Sequence, residues 1–449
     1  MEVNKLIEED KKHIWHPCSQ MMDYEEYPAI HIEKGEGVWL YTRSGERVLD
    51  AISSWWVNIF GHGNKYIADK ISEQAHKLEH VIFANYTHSP AVELSIRLSK
   101  LFNDNLPKVF FADNGSSAIE VAFKMSYQYW YNKGIPQKNE FVYISGAYHG
   151  ETIGALSLGS LGLYKKVFEP LLLKTNEVFG PDCYRCPFSL QRNTCNAECF
   201  AKTEKELEKL ADKTAAIIIE PMLQCAAGMK MYSPIFLKKL RETSKKLDIH
   251  LICDEIACGF GRTGKIMATH YADIIPDFAV VSKGLTGGFL ALSAVLTSDQ
   301  IYQAFYAPYE SGKAFLHSHS YTGNPLACSA ALATFELFDQ TNIIEKNKET
   351  GKYIYEKVTP LLEHKNVGEI RNLGMVTAIE LVKDKNTKED LDYKKRIGHS
   401  IYRIAEKKGV LLRNLGNTIY FMPPLIINKE EIDFMTSVAI DSITQVLKD

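Results

Sequence analysis

Apolar residues recur along the chain in two patterns, one typical of buried strands and one typical of helices. Short, almost continuously apolar runs occur at residues 108–112, 141–145, 215–221 and 249–255, and each predicts a strand. Longer stretches, in which apolar residues recur every three or four positions, separate these runs and predict helices. This alternation is typical of an α/β fold, in which helices cover both faces of a mainly parallel sheet.

The two ends of the chain have different patterns. Between Ile14 and Asn58, β-forming residues alternate with turns that contain glycine, which indicates an N-terminal arm with short strands. A long helix is expected from Leu326 to Phe338, and the residues after it mix helical periods with strands such as TIYFMPPLII. We therefore expect three parts: an arm with part of a small domain at 1–60, a large domain at 61–330 and a small C-terminal α+β domain at 331–449.

Composition narrows the class of protein. The 449 residues have a formal net charge of -3 and are 45% hydrophobic, which is ordinary for a soluble enzyme and gives no electrostatic reason to expect nucleic acid or an anionic membrane as a partner. The N-terminus has acidic residues where a signal peptide would have an apolar core, and no apolar run reaches transmembrane length, so we expect a cytoplasmic location. Five scattered cysteines are expected to be buried thiols: Cys18, Cys225, Cys253, Cys258 and Cys328.

Lys283 is the first candidate for chemistry. It follows the apolar run Ala279–Val281, which is expected to form a strand that stops at Ser282, and Gly284 then opens a turn. An amine at a strand end beside apolar residues is partly desolvated and can attack carbonyl groups. Taken alone, a solvated surface lysine is the alternative.

The loop Asp113–Ser117 is a candidate phosphate site. Gly115 permits close approach of the backbone, Ser116 has a hydroxyl, and the helix that follows presents unpaired N–H groups and a positive dipole end. The alternative is a simple helix cap by Ser116 or Ser117, with Glu120 as the partner in a capping box.

Asp254 and Tyr148 are two further candidates at strand ends. Asp254 ends an apolar run, and such a carboxylate is costly to desolvate unless a cation or a proton donor faces it. A helix cap or a salt bridge would satisfy it equally well. Tyr148 and His149 lie between Gly146 and Gly150, which predicts an exposed loop.

The segment GFGRTGK at 259–265 fits two nucleotide-binding patterns only in part. As a dinucleotide fingerprint, its glycines are separated from the preceding strand by residues 256–258. As a P-loop, it has Ile266 where Mg²⁺ binding needs Ser or Thr. A nucleotide-binding protein is therefore a weak alternative.

Six motifs together resemble one enzyme family. DNGSSAIE, YHGET, IIIEPM, ICDEIACGFGRTGK, VVSKGLTGG and HSYTGNPLA occur in the order and at the spacing seen in class III pyridoxal-phosphate aminotransferases, across roughly residues 110–330. The resemblance implies a fold-type-I transferase, with a mainly parallel sheet of the seven-stranded type in the large domain and a smaller α+β domain. It also implies pyridoxal 5'-phosphate as cofactor and a homodimer.

Three more segments resemble a single subgroup. HIWHP, SSWW and LLRNLGNTIYFMPPLII are similar to the aminotransferases that convert 8-amino-7-oxononanoate to 7,8-diaminononanoate in biotin synthesis, usually with S-adenosylmethionine as amino donor and in some relatives with lysine. Two alternatives stay open. One is another class III aminotransferase, acting on an ω-amino acid or a diamine, and the other is a nucleotide-binding or metal-binding regulator.

The resemblance implies roles for the candidate residues. Lys283 would bind the cofactor covalently and later carry a proton, and Asp254 would keep the pyridine nitrogen protonated. Tyr148 and Ile256 would cover the two faces of the ring. The other implied contacts are Gly115 and Ser116 with the phosphate, Ser320 with the phosphate of the partner subunit, and Gln224 with the ring hydroxyl; Trp55, Tyr148, Gly284, Arg413 and Tyr420 would bind substrate, and Arg371 would be structural.

Several positions depart from the family pattern. Cys18 stands where several members of the subgroup have an aromatic residue that touches the amino donor, so the identity of the donor stays open. Ser320 replaces a more usual Thr, and Glu151 a more usual Asp.

A cluster of four cysteines is a further departure. Cys183-x2-Cys186 and Cys195-x3-Cys199 have spacings compatible with a four-thiolate zinc or iron–sulfur site. The alternative is a surface insertion whose thiols stay reduced, and no metal is assigned to the active site.

Overall fold

The computed structural model describes residues 3–448. Met1, Glu2 and Asp449, the outermost residues of the predicted arm and of the predicted C-terminal domain, lie outside the described residues. No helix within 3–448 is long and apolar enough to cross a membrane. The division into three domains stays a prediction.

A central sheet of seven strands organises the molecule. Its strands lie in the order β1-β7-β6-β5-β4-β2-β3. Strand β7 is antiparallel to both of its neighbours, and the other pairs are parallel, so the expectation of a mainly parallel seven-stranded sheet is confirmed. The strands are β1 Lys108–Ala112, β2 Glu140–Ile144, β3 Asn176–Val178, β4 Thr214–Ile219, β5 His250–Asp254, β6 Phe278–Val281 and β7 Ser293–Thr297.

The strands are apolar on both faces because helices cover both sides of the sheet. Along β4, Ile218 packs on the side of the helix that contains Ala118. The next residue, Ile219, packs on the opposite side, with Phe236 and Leu240 of another helix. Successive side chains of a strand point to opposite faces, so an uninterrupted apolar run builds both layers of the core.

Three smaller sheets surround the central one. In the four-stranded sheet, Arg47–Asp50 pairs in parallel with Val410–Leu411, which ties the N-terminal part of the chain to its C-terminal part. The strands are Ile32–Glu36, Trp39–Thr42, Arg47–Asp50 and Val410–Leu411 in this sheet; Val367–Leu373, Val376–Asp384, Glu389–Asp390, Arg413–Leu415 and Thr418–Phe421 in a five-stranded sheet; and Leu223–Gln224 and Lys230–Met231 in a two-stranded sheet.

Helices make up most of the remaining chain. The α-helical segments are Val3–His13, Asp23–Glu26, Lys65–Ala75, Ser89–Lys100, Gly115–Asn132, Ile153–Ser157, Gly162–Lys165, Phe200–Leu210, Pro234–Lys246, Asp299–Gln303, Pro325–Thr341, Ile343–Val358, Ile397–Lys407 and Lys429–Val446. Ser53–Trp56 forms a single helical turn with left-handed backbone angles. The 3₁₀ turns are Lys166–Leu171, Ala211–Lys213, Ala268–Tyr271, Lys283–Thr286, Tyr309–Ser311, Thr359–Glu363 and Tyr393–Lys395.

One element was not predicted, and two expectations about structure were wrong. The arm begins with a helix, Val3–His13, before the short strands expected from Ile14 onward. The strand expected in TIYFMPPLII ends at Phe421, before two prolines that cannot donate to a sheet. Cys18 is exposed rather than buried, because it lies in the arm and not in a packed element.

Candidate active site

Loops that follow the carboxyl ends of β1, β2, β5 and β6 meet around one cavity of about 430 Å³. Because these strands point the same way, their carboxyl ends lie at one edge of the sheet, which is where open α/β folds bind ligands. The residues that line the cavity come from distant parts of the chain and include Trp56, Asp113, Asn114, Gly115, Ser116, Tyr148, His149, Glu220, Asp254, Ile256, Ser282 and Lys283.

Strand β6 ends at Val281, and Lys283 follows after one residue, Ser282. Its backbone has φ of 44°, a left-handed conformation that a non-glycine residue adopts at a cost of roughly 1–2 kcal/mol. Its Nζ lies 5.1 Å from the centre of the Trp56 ring. Gly284, expected to contact substrate, is buried, and a Cβ there would lie 2.9 Å from Ile59. The structure therefore places Lys283 in the cavity and packs Gly284 away from it.

Asp254 meets the proton donor that its position requires. Its Oδ2 lies 2.7 Å from Nδ1 of His149, and its Oδ1 accepts a hydrogen bond from the backbone N–H of Ile256 at 3.0 Å. Both Asp254 and His149 are buried. The expectation of an exposed loop at 146–150 was wrong, because the loop folds onto the ends of β4 and β5 and buries His149. Nε2 of His149 is buried without a hydrogen-bond partner among the described residues.

Glu220 is a second buried carboxyl group beside the cavity. Its Oε2 accepts from the backbone N–H of Tyr148 at 3.3 Å, and its Oε1 accepts from that of Cys225 at 2.9 Å. Burial, and then the nearby charge of Asp254, raise the pKa of Glu220 to about 8. At neutral pH the Glu220 side chain therefore holds a proton.

The start of the helix Gly115–Asn132 presents backbone N–H groups to the cavity. Asn114 caps the helix by accepting from the backbone N–H of Ser117 at 3.0 Å, so the capping box expected from Ser116 or Ser117 with Glu120 was wrong. The N–H groups of Gly115 and Ser116 lie before the first intrahelical bond. They border the cavity. A Cβ at Gly115 would lie 3.0 Å from Ile256, so glycine keeps this corner open.

Tyr148 and Ile256 both line the cavity, as expected for residues on either side of a flat ring. The Tyr148 hydroxyl donates to Oε1 of Glu151 at 2.9 Å. Burial, followed by the charge of Glu151, raises the pKa of Tyr148 above its ordinary value. The phenol is therefore neutral, and it keeps its proton in the hydrogen bond that it donates to Glu151.

Trp55 and Trp56 lie in a turn in which four successive residues have left-handed backbone angles. The φ values of Ser53, Ser54, Trp55 and Trp56 are 52°, 44°, 72° and 75°. Trp56 is buried and faces Lys283, whereas Trp55 is 42% exposed and lies with its ring 4.9 Å from the guanidinium of Arg413.

Arg413 faces a neighbouring cavity of about 340 Å³, which is also lined by Cys18, Tyr402 and Arg403. Among the described residues its guanidinium contacts aromatic rings but has no ion pair and no hydrogen bond. It is therefore available to bind an anionic group.

Of the remaining candidates, Tyr420 and Gln224 are buried and Ser320 is exposed. Tyr420 is buried behind Trp56 and accepts a hydrogen bond from its indole N–H at 3.0 Å. Gln224 is buried, donates to the carbonyl of Ser145 at 2.9 Å, and has Oε1 without a partner among the described residues. Ser320 is exposed and is not among the residues that line the cavity of its own chain.

Two sequence motifs have structural positions away from the cavity. The glycines of GFGRTGK do not open a helix, so the nucleotide-binding alternative was wrong: its Arg262 is buried and donates to the carbonyl of Asn58 at 2.6 Å. Arg371, expected to be structural, is buried and donates to the carbonyl of Met229 and to Glu380.

The cysteine cluster consists of free, partly buried thiols at Cys183, Cys186, Cys195 and Cys199. No three His, Cys, Asp or Glu side chains within residues 3–448 are placed to hold a metal ion. Burial, and then the neighbouring Cys195, raise the pKa of Cys183 to about 12. Without a metal this thiol is therefore protonated, and binding of a metal ion would have to displace its proton.

The sequence did not indicate several residues of the cavity, among them Trp56, His149 and Glu220. Trp56 is part of a motif that implied no role for it, His149 is predicted in an exposed loop, and Glu220 lies at the end of a predicted strand. The signal for Glu220 was available, since it is a carboxylate directly after the five apolar residues 215–219.

Comparisons with known proteins agree with this geometry. Residues 20–445 match the model of the family described as aminotransferase class III. The adenosylmethionine-8-amino-7-oxononanoate aminotransferase of Helicobacter pylori is 45% identical over 428 residues, covering 94% of each chain. A crystal structure of the enzyme of that name from Methanocaldococcus jannaschii has a TM-score of 0.93, with 36% identity and 99% of each chain covered.

A further solved structure is informative about the cofactor. It is an amine transaminase from an uncultivated Pseudomonas species in a pyridoxal-phosphate-bound form, with a TM-score of 0.92 and 30% identity, covering 97% of this chain and 99% of that one. Three findings lead to the same conclusion: the family match, the sequence identity over nearly the whole length and the shared fold. The chain belongs to the class III aminotransferases, and it is a pyridoxal-phosphate-dependent enzyme of that family.

Proposed function

We propose that the protein transfers an amino group to 8-amino-7-oxononanoate and so makes 7,8-diaminononanoate, with S-adenosylmethionine as the amino donor. One observation of the structure supports this choice of substrate more than any other. The adjacent residues Trp55 and Trp56 join the cavity of Lys283 to the unpaired guanidinium of Arg413. A long substrate with a reactive ketone at one end and a carboxylate at the other matches these two groups.

The residues of the first cavity fit pyridoxal phosphate. The two N–H groups of Gly115 and Ser116 suit its phosphate, the carboxylate of Asp254 suits its pyridine nitrogen, and Lys283 suits its aldehyde. When bound, this cofactor supplies an aldehyde that exchanges with amines and a protonated ring that withdraws electrons from the reacting carbon.

Lys283 carries the proton of the reaction. Its amine, beside Trp56, would take the proton from the donor carbon that bears nitrogen and deliver it to the cofactor carbon that carries the nitrogen. In the second half of the exchange it would move a proton in the reverse direction, to the carbon of the acceptor ketone. Asp254 holds the positive charge at the ring nitrogen, and the hydrogen bond from His149 fixes the orientation of its carboxylate. Glu220, protonated at neutral pH, adds no negative charge beside the ring nitrogen.

Arg413 binds the carboxylate of the substrate. A guanidinium pairs with a carboxylate through two parallel hydrogen bonds, and the Trp55 ring holds the guanidinium from one face. The long alkyl chain between the ketone and the carboxylate would cross the tryptophan surface. This arrangement selects substrates by the length of their alkyl chain, because the carboxylate reaches Arg413 with the ketone at Lys283 only if the chain spans the distance between the two residues.

The proposal of S-adenosylmethionine as amino donor rests on the names of the relatives, and Cys18 of the N-terminal arm bears on it. The Helicobacter pylori relative is an adenosylmethionine-8-amino-7-oxononanoate aminotransferase by name. Sγ of Cys18 lies 3.9 Å from Oε1 of Glu151, the same oxygen that accepts from Tyr148. Cys18 thus lies beside the Tyr148–Glu151 pair and lines the neighbouring cavity with Arg413, with a smaller side chain than the aromatic residue that several members of the subgroup have there.

The active enzyme is proposed to be a homodimer in the cytoplasm. Ser320 is exposed on its own chain, and its hydroxyl would complete the phosphate site of the partner subunit. Each site would then need both chains.

The experiment begins with the purified protein and pyridoxal phosphate. We expect a yellow protein whose visible absorbance is lost on borohydride reduction. In the Lys283→Ala variant, borohydride should not attach the cofactor covalently to the protein. The loaded protein is then mixed separately with S-adenosylmethionine and with lysine, and conversion to the pyridoxamine form is followed by absorbance. Formation of 7,8-diaminononanoate is measured by mass spectrometry.

Each result has a defined meaning. Conversion by S-adenosylmethionine and product from 8-amino-7-oxononanoate support the proposal. Conversion by lysine alone would replace the donor but keep the acceptor. Turnover of ω-amino acids or diamines with none of 8-amino-7-oxononanoate would assign another specificity within the family.

A further inference from the structure

The left-handed turn Ser53–Trp56 is held by a network that lies behind the substrate surface. Non-glycine residues rarely adopt positive φ, and four in succession persist only where the surroundings determine them. The turn contains no glycine to relieve this conformation. Something outside the turn must therefore hold it.

Asp50 is the main acceptor of that network. It is fully buried, and its two carboxylate oxygens accept from the Ser54 hydroxyl at 2.7 Å and from the backbone N–H of Ile52 at 3.2 Å. Nε2 of His62 lies 2.9 Å from the same carboxylate. Burial alone would raise the pKa of Asp50, but hydrogen bonds from His62 and Ser54 outweigh it, so the pKa lies below its ordinary value.

His62 is oriented by its second nitrogen. The Asn58 amide nitrogen lies 3.2 Å from Nδ1 of His62, which makes Nδ1 the acceptor and leaves the proton on Nε2, facing Asp50. The backbone of His62 is itself fixed, since it exchanges two hydrogen bonds with Gly37 at 2.7 and 3.1 Å. The imidazole is therefore a rigid donor to Asp50 from a neighbouring part of the fold.

Arg262 holds the other side of the turn. Its buried guanidinium donates to the carbonyls of Trp56 and Asn58 at 3.2 and 2.6 Å. Burial lowers the pKa of Arg262 to about 9, and the charge of Asp50 acts in the opposite direction. Asp50 therefore stabilises the turn twice, by hydrogen bonds to Ser54 and Ile52 and by its charge toward Arg262.

We propose that Asp50 and His62 are positioning residues for the substrate, which act by holding Ser54 and so fix Trp55 against Arg413 and Trp56 against Lys283. Neither residue lines the cavity of Lys283, and neither needs to touch substrate. The inference rests on the proposed function, because it assumes that Trp55 and Arg413 form the substrate surface.

The sharpest test uses Ser54, which is exposed and can be replaced without disturbing the core. Ser54→Ala loses the bond to Asp50 and keeps the cost of the left-handed backbone. Ser54→Gly loses the same bond but removes that cost. We expect the KM for 8-amino-7-oxononanoate to rise about tenfold in Ser54→Ala and to return most of the way toward wild type in Ser54→Gly, with unchanged cofactor absorbance in both.

A double-mutant cycle separates positioning from a general structural effect. If Ser54 acts through Trp55, then Ser54→Ala should not raise the KM further in a Trp55→Ala background. Asp50→Asn, which turns an amide donor toward Ser54 and His62, should give the same pattern. Ser44→Ala, at an exposed turn bonded to Thr42 and Glu46, is the matched control and should leave the KM unchanged.

A second measurement needs no substrate. The near-ultraviolet circular dichroism of the loaded enzyme should change in Ser54→Ala and in Asp50→Asn, and much less in Ser54→Gly. An unchanged spectrum in Ser54→Ala would overturn the proposal, as would equal rises in KM with and without Trp55. If the wild-type protein turns over other substrates instead, the proposed function fails while the spectra still decide the role of Asp50.

Discussion

At the scale of single residues, two neighbouring carboxyl groups of the site have different partners. Asp254 lies against His149 and accepts from the backbone N–H of Ile256, whereas Glu220 accepts from two backbone N–H groups. Burial, and then the charge of Asp254, raise the pKa of Glu220, so Glu220 holds a proton at neutral pH. We therefore expect the two groups to have different tasks: Asp254 would face the ring nitrogen of the cofactor, and Glu220 stays neutral.

The proton on Glu220 predicts a pH dependence of stability. Its pKa in the folded protein, about 8, is above the ordinary value of 4.5, so the native state binds more protons than the unfolded state between these values. Its contribution is complete below pH 4.5 and is lost as the pH rises through 8, at roughly 1.4 kcal/mol per pKa unit. Glu220→Gln copies the neutral form, and we expect its free energy of unfolding to fall less steeply than that of wild type in this window.

Urea titrations of the two proteins, each between pH 5 and pH 9, measure this difference. Glu208→Gln is the matched control, because Glu208 lies on the surface of a helix, 3.2 Å from Lys246. Parallel curves for wild type and Glu220→Gln would show that Glu220 is ionised in the fold.

Arg413 predicts a specific loss of affinity. Arg413→Lys keeps the charge but loses the fork that pairs with a carboxylate, and Arg413→Ala loses both. We expect the KM for 8-amino-7-oxononanoate to rise about tenfold in the first and about a hundredfold in the second, while the absorbance of the bound cofactor is unchanged. Steady-state rates over a range of acceptor concentration measure this. Equal rises for an acceptor without a carboxylate would contradict the assignment.

Some residues near the ends of apolar runs were predictable, and residues that depend on a distant partner were not. Lys283 follows the run Ala279–Val281 after Ser282, Asp254 ends another run, and both lie in the cavity. His149 was assigned to the wrong environment because glycines beside it indicate a turn but do not tell whether other strands cover that turn. Tyr420 was expected in the pocket and lies one layer behind it, since nothing in its local sequence specifies which side of Trp56 it occupies.

At the scale of elements, the loop after β2 and the helix after β1 are fitted to each other. Gly150 has φ of 126°, and a Cβ there would lie 2.0 Å from Oγ of Ser116. The backbone N–H of Glu151 donates to the same Ser116 oxygen at 3.2 Å. The shape of the phosphate corner therefore depends on a glycine that belongs to another loop.

Gly150→Ala should push the two loops apart. We expect the dissociation constant of pyridoxal phosphate to rise at least about tenfold, because the contact falls on Ser116 and the φ value disfavours alanine. Gly162→Ala is the control, since a Cβ there meets nothing within 4 Å. Equilibrium titration of the apoenzyme with cofactor, followed by visible absorbance, gives both constants. The same affinity in the two variants would mean that the corner can open without loss.

Element types were predictable where one face or both faces are buried. The strands at 108–112 and 249–255 and the long helix near Leu326 have clear apolar periods, and the structure has an element at each. The helix Val3–His13 has no buried residue, so no apolar face indicated it. The left-handed turn at Ser53–Trp56 could not be foreseen either, since its conformation depends on Asp50, His62 and Arg262 rather than on its own residues.

At the scale of the whole molecule, Ser320 predicts that each active site is shared between two chains. Ser320→Ala should weaken cofactor binding, and a mixed dimer tells whose site is affected. We combine one chain that has Lys283→Ala with one that has Ser320→Ala. If the serine serves the partner, the intact Lys283 in this dimer receives a wild-type serine, and half of the sites should bind cofactor with normal affinity.

The opposite arrangement gives a different titration. If Ser320 serves its own chain, every intact Lys283 in the mixed dimer lacks the serine, and the weak affinity of the Ser320→Ala homodimer should be found instead. Purification through two different affinity tags, followed by cofactor titration, distinguishes the two outcomes.

The antiparallel strand β7 has a consequence for the order in which the protein is assembled. It lies between β1 and β6, so it is the only strand that connects the phosphate corner to the strand of Lys283 within the described sheet. Ser293 pairs with Ala112, a partner made about 180 residues earlier. On the ribosome β1 must therefore wait, with an open edge, until more than half of the chain has emerged. Until β7 is inserted between β1 and β6, the residues of the cofactor site in a nascent chain are not held together. We therefore expect the sheet to close and the chain to become able to bind pyridoxal phosphate in the same late step of folding.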